Sequence, residues 1–116
     1  MMRKVSRKDC VILPLVLKKR WYDMIASGVK KEEYRQYKDF WITRIEKWQD
    51  ARLERPLFEK MKLDVIAFSC GYKKPDMFFL CDRIIVREGS FLHPEWGEPT
   101  IKHFALGLGE RIELGA

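Results

Sequence analysis

From Gly28 to Arg35 the chain reads GVKKEEYR, the densest run of ionisable side chains whose spacing could do chemistry. Lys30, Glu33 and Arg35 offer two cations around one carboxylate. Such a set can bind a phosphate or grip the polar edge of a base. It can also activate water, with Glu33 as general base and Lys30 or Arg35 stabilising an oxyanion. The competing reading is a solvated ion-pair cluster on an exposed strand, worth less than about 1 kcal/mol. From residue types alone the second reading is the commoner one, because exposed Lys/Glu clusters are usually inert.

The charge around this run is uneven. The net charge is +6, from 23 Lys/Arg against 17 Asp/Glu. Residues 1–35 hold ten Lys/Arg and four Asp/Glu, whereas residues 36–116 hold thirteen of each. The whole excess therefore lies in the first third. Clustered Lys and Arg neutralise phosphates and release counterions, so the asymmetry points to a polyanion, most simply nucleic acid. Lys18, Lys19 and Arg20, with Lys30 and Lys31, are the candidate contacts. Arg3 to Lys8 read instead as a basic N-terminal arm over residues 1–10 that need not be ordered.

Other residues are weighed the same way. Trp21, Trp41 and Trp48 stand at helical spacing and read as core. Tyr72 and Trp96, in Gly/Pro-rich stretches, are better placed to stack on a base. His103 begins a strand and reads as a rim or partly buried residue. Cys10, Cys70 and Cys81 are an odd number without C-x-x-C spacing, which suits reduced thiols in a reducing compartment. Neither His93 nor His103 pairs with a Cys at zinc-ligand spacing, so no metal is expected, and no cofactor is implied. No apolar run approaches the roughly 20 residues of a membrane span, and no signal peptide is recognisable. A cytoplasmic protein without a membrane partner is the expectation.

These residues need elements to position them. Val11–Leu17 (VILPLVL) reads as a strand in which Pro14 favours an edge or a bulge. From Lys18 the period becomes helical, with Leu17, Trp21, Met24 and Ile25 on one face. Gly28 suits the left-handed position that stops the helix. Lys30–Tyr37 could be a strand, its alternation placing Glu33 and Arg35 on one face. Asp39 is a plausible N-cap for a helix to about Arg52, with Trp41, Ile45 and Trp48 inward and Pro56 at or after its end. Leu63–Cys70 reads as a buried central strand, and Met77–Val86 as a long strand bulged at Asp82-Arg83. Glu88–Thr100 is a loop. Phe104, Leu106 and Leu108 alternate in a last strand, with Ile112 and Leu114 pairing after a turn at Gly109. Strands outnumber helices and the later ones are consecutive, so an α+β fold with a small barrel is expected.

The pattern Gly28-x-Lys30-x-x-Glu33-x-Arg35 resembles the signature of the ASCH domain family, which is related to the RNA-binding PUA domains. Leu13-Pro14-Leu15 before the helix, Trp21 to Gly28 leading in, and Phe40-Trp41-x-x-Arg44 after the motif resemble small phage and bacterial members. Gly71-Tyr72 and Glu95-Trp96-Gly97 fit the same group. The resemblance spans about residues 11–114 and implies one PUA-like β-barrel domain over 11–116, flanked by two or three helices. It also implies a cleft lined by Lys30, Glu33 and Arg35. Family members are proposed to bind RNA, and some hydrolyse an acylated cytidine with a motif lysine, which Lys30 matches. Those amidohydrolases carry Thr where this chain has Glu33. The sequence thus points first to an RNA- or nucleotide-binding module. A hydrolase acting on a modified nucleoside or on RNA, with Lys30 and Glu33 catalytic, is the alternative. A protein-interaction module is a third.

Overall fold

A computed structural model describes residues 2–53, 62–88 and 102–115. Along the chain lie β1 (Arg3–Val5), β2 (Cys10–Leu17), α1 (Lys19–Ala26), β3 (Glu32–Gln36), α2 (Asp39–Leu53), β4 (Leu63–Cys70), β5 (Met77–Arg87) and β6 (His103–Leu114). The six strands form one sheet in the order β1-β6-β5-β4-β2, with β3 also paired to β6. The sheet curls strongly into a half-barrel, so the fold is α+β and barrel-like, with two α-helices among the described residues.

Alternation sorts the strands into two apolar faces. Val11, Leu13, Leu15 and Leu17 of β2 point with Ile66 and Phe68 of β4 towards Ile25 of α1 and Ile45 and Trp48 of α2. On the other face Val5, Cys10, Val65 and Ile112 form a second cluster. At eight residues, α1 is too short to persist alone, since isolated helices below ~12–15 residues are marginal in water. Packing on the sheet holds it. The Trp48 indole adds a directional tie by donating to the Val11 carbonyl across 2.9 Å.

The central strand β4 has the limits expected, and β5 shows its register shifts around Cys81, at the expected bulge. Pro14 lies on β2, the end strand of the path, paired in parallel with β4. Five local expectations need correction, the first being His103, which is fully buried at 1% exposure and not at the rim. Residue Asp39 is the first residue of α2 rather than its cap, because the Lys38 carbonyl accepts from Trp41 and Ile42. The strand expected over Lys30–Tyr37 is shorter, Glu32–Gln36, and leaves Lys30 in the connection before it. No turn interrupts the last strand at Gly109; β6 runs through it to Leu114. The basic arm carries β1, paired in parallel with Ile112–Leu114, because Val5 buries against the second cluster. Pro56, Trp96 and all of the 88–100 loop except Glu88 lie outside the described residues.

Gly28 ends α1 as expected, with φ of +84°. Its N–H returns to the Ile25 carbonyl, and the Lys30 N–H returns to that of Met24 at 3.0 Å. The helix end thereby fixes where Lys30 starts. A Cβ at Gly28 would meet nothing within 4 Å, so only the backbone conformation opposes a side chain there. Gly28→Val should cost about 1 kcal/mol or more through that conformation and disturb Lys30. Thermal melts check this; an unchanged midpoint would contradict it.

Candidate functional site

The three side chains picked from the sequence meet. Antiparallel pairing places Glu33 opposite Leu106 and Arg35 opposite Phe104, so both share the face that carries the main core. Glu33 Oε1 accepts from Lys30 Nζ at 3.1 Å, and Oε2 accepts from Arg35 Nη2 at 2.6 Å. The side chains of Lys30 and Glu33 are only 2% and 5% exposed, while Arg35 keeps 17%. This is no solvated surface pair.

Aromatic rings complete the surroundings. The Lys30 ammonium lies 5.2 Å from the ring centroids of both Trp21 and Tyr34. A cation facing two π-clouds recovers part of its lost hydration, by about 0.5–2 kcal/mol per ring. The Arg35 guanidinium sits 4.8 Å over Trp41 and also donates to the Val16 carbonyl at 3.2 Å. Its Nε–H is buried without an acceptor among the described residues. A buried donor left this way is costly.

The contacts continue outward on both sides. Arg20 lies 4.7 Å over the Trp21 ring. Phe40 meets Trp41 edge-on with centroids 4.9 Å apart, and Arg44 lies 4.6 Å over Phe40. Arg20, Trp21, Lys30, Glu33, Arg35, Trp41, Phe40 and Arg44 therefore form one row in which each touches the next. Reading the tryptophans as core fits all three, Trp48 buried within it and Trp21 and Trp41 packed against it. These two are half-buried against the core while facing the site cations.

A second group of residues singled out from the sequence lies where β2 and β4 end. The Gly71 N–H donates to the Leu17 carbonyl at 2.9 Å, so the bend at Gly71–Lys73 leaves the sheet where the chain enters Lys18–Arg20. Tyr72 is fully exposed, and Lys73 and Lys74 next to it are exposed as well. Three cations stand at the N-terminus of α1 with no acidic residue in its first turn. The helix dipole disfavours them there by about 0.3–1 kcal/mol each. Only Lys19 has a compensating partner in the helix, Asp23 at 2.6 Å. Lys31 is exposed, and its backbone carbonyl accepts from Leu108.

The neighbouring glutamate was not anticipated. Glu32 faces the opposite side of β3 and takes both Arg87 nitrogens at 3.0 Å, Arg83 at 3.2 Å and the Tyr34 hydroxyl at 2.9 Å. Gly107 lies between, and a Cβ there would collide with the Asp82 carboxylate and come within 2.8 Å of Arg83 Cγ. Burial pushes the Glu32 carboxyl up, but the hydrogen bonds from Arg87, Tyr34 and Arg83 outweigh it and hold it below its ordinary 4.5. A depressed carboxylate stabilises the fold above its unfolded pKa, and that contribution fades as pH falls through the folded value. The stability gap between wild type and Glu32→Gln should therefore shrink below about pH 4.5. Denaturation midpoints between pH 7 and 3 check this; a gap independent of pH would contradict it.

Among the described residues no group of three His, Cys, Asp or Glu side chains is gathered as metal ligands, and no helix is long and apolar enough to cross a membrane. Comparison with family models, curated proteins and solved structures finds no match.

Proposed function

We propose that this protein is a cytoplasmic ASCH-type, PUA-like module that binds RNA or a nucleotide in a cleft at Lys30, Glu33 and Arg35. The observation that carries the reading is the burial of that triad. Replacing a buried ion pair by well-packed apolar side chains is often neutral or stabilising, so stability alone is a weak reason for Lys30 and Glu33. Both Glu33 oxygens face cations, which fixes the donors of Lys30 and Arg35 in place for an anion or a base edge. The buried Nε–H of Arg35 adds a donor for the ligand. Lys18, Lys19, Arg20, Lys73 and Lys74 supply a phosphate-attracting edge, and Arg20 joins it to the triad through Trp21. The motif and the curled sheet support the family assignment.

Hydrolysis of an acylated nucleoside would need Glu33 to receive a proton from water. Each of its oxygens already accepts one hydrogen bond, and one lone pair remains on each. A scan of short RNAs and modified nucleosides by mass spectrometry, reading retention and turnover together, separates the two activities. Retention without turnover is expected. Turnover would make the protein a hydrolase, and neither retention nor turnover would sink the proposal.

A further inference from the structure

We propose that Phe40 and Arg44 form a base-stacking subsite for single-stranded RNA, so that the strand runs past the buried triad instead of ending in it. This rests on the reading that the triad binds RNA or a nucleotide, and it commits that site to a ligand longer than one nucleotide.

Phe40 is 53% exposed on the first turn of α2. Helical spacing turns Trp41, Ile45 and Trp48 towards the sheet and leaves Phe40 on the flank. A phenylalanine kept more than half in water gains little from the core, and its ring stays within reach of a partner. Its ring is already oriented by the edge of Trp41 and by the Arg44 guanidinium. Three residues before it, Tyr37 is also exposed, with Lys102 Nζ 4.4 Å over its ring. Phe40, with Arg44 over it, thus stands at the end of the row that passes from Glu33 through Arg35 and Trp41, while Tyr37 packs on Phe104 with centroids 5.1 Å apart.

That alternation identifies the occupant. A single strand presents a base and a phosphate in turn, and proteins that bind it pair aromatic platforms with cations along a track. An acidic peptide would use Arg44 and Lys102 but leave the more exposed Phe40 ring in water. Duplex RNA hides its base faces in the stack and gives the rings nothing to cover. The row also continues beyond the triad to Arg20 and the basic edge. A strand lying along it meets cations on both sides of Glu33.

The test compares a mixed-sequence RNA hexamer with the four nucleoside monophosphates, using wild type, Phe40→Ala and Phe40→Tyr with matched melting midpoints. One stacked base contributes about 1–3 kcal/mol, so Phe40→Ala should weaken the hexamer by about fivefold to a hundredfold. Phe40→Tyr keeps a ring and should bind the hexamer like wild type, and monophosphate affinities should not respond to either change. Hexamer binding unaffected by Phe40→Ala, or monophosphates bound as tightly as the hexamer, would overturn the subsite while leaving the triad as a nucleotide site. Preference for an acidic peptide over the hexamer would overturn it too. If wild type binds neither RNA nor nucleotide at low salt, subsite and functional reading fall together.

Discussion

Removing the Glu33 carboxylate is expected to destabilise the protein by about 3–5 kcal/mol, because Glu33→Ala leaves the Lys30 ammonium buried without a counter-charge. A surface pair would cost less than about 1 kcal/mol, so the two cases are well separated. Total stability of a domain this size is about 5–15 kcal/mol, which makes the loss visible in any denaturant curve. The exposures decide which case applies: 2% and 5% for the paired side chains. Arg35 loses the same partner, but it is more exposed and retains the Val16 carbonyl. The compensating experiment is the double variant Lys30→Met with Glu33→Leu, in which no charge of the pair remains. It should recover most of the lost stability and still bind no RNA. A Glu33→Ala variant as stable as wild type would show that the pair is not desolvated.

The second large effect is electrostatic. Each phosphate neutralised on a single strand adds about −0.7 to the slope of log affinity against log salt. With five phosphates engaged at the Lys18–Arg20 and Lys73–Lys74 edge, the slope would be about −3.5. Between 50 and 200 mM salt that is a loss of about a hundredfold. Changing Lys18, Lys19 and Arg20 together to Gln should weaken binding and flatten the slope by about 2. These side chains are exposed, and at the helix N-terminus they oppose the dipole, so their removal should leave stability unchanged or raise it slightly. An unaltered slope would place the phosphate contacts elsewhere.

How legible this was depended on how local the cause is. Gly28 was readable because only its own φ matters, and β4 because the apolar run Val65–Phe68 fills both faces and must be buried on both sides. The shared face of Glu33 and Arg35 followed from strand alternation alone. The pairing of β1 with β6 joins Arg3 to Ile112, and nothing near Arg3 specifies so distant a partner. A turn at Gly109 was expected from the glycine; instead β6 continues along β5, where Gly109 packs beside Leu80 and Asp82. Burial of Lys30 was beyond reach for the same reason. Residue type argues for exposure, and only the rings of Trp21 and Tyr34 and the carboxylate of Glu33 reverse it. Glu32 illustrates the opposite limit, since its partners Arg83 and Arg87 lie two strands away across Gly107.

The indole resonances of the protein test the binding site most directly, because Trp21 touches Lys30, Trp41 touches Arg35, and Trp48 is buried with its N–H on the Val11 carbonyl. In a titration of labelled protein with single-stranded RNA, the Trp21 and Trp41 indole signals should shift saturably while that of Trp48 stays in place. The same titration of the Lys30→Met, Glu33→Leu variant should leave the Trp21 and Trp41 signals unmoved. Trp21 and Trp41 signals that stay fixed in wild type at RNA concentrations where binding is complete would contradict a ligand site at Lys30, Glu33 and Arg35.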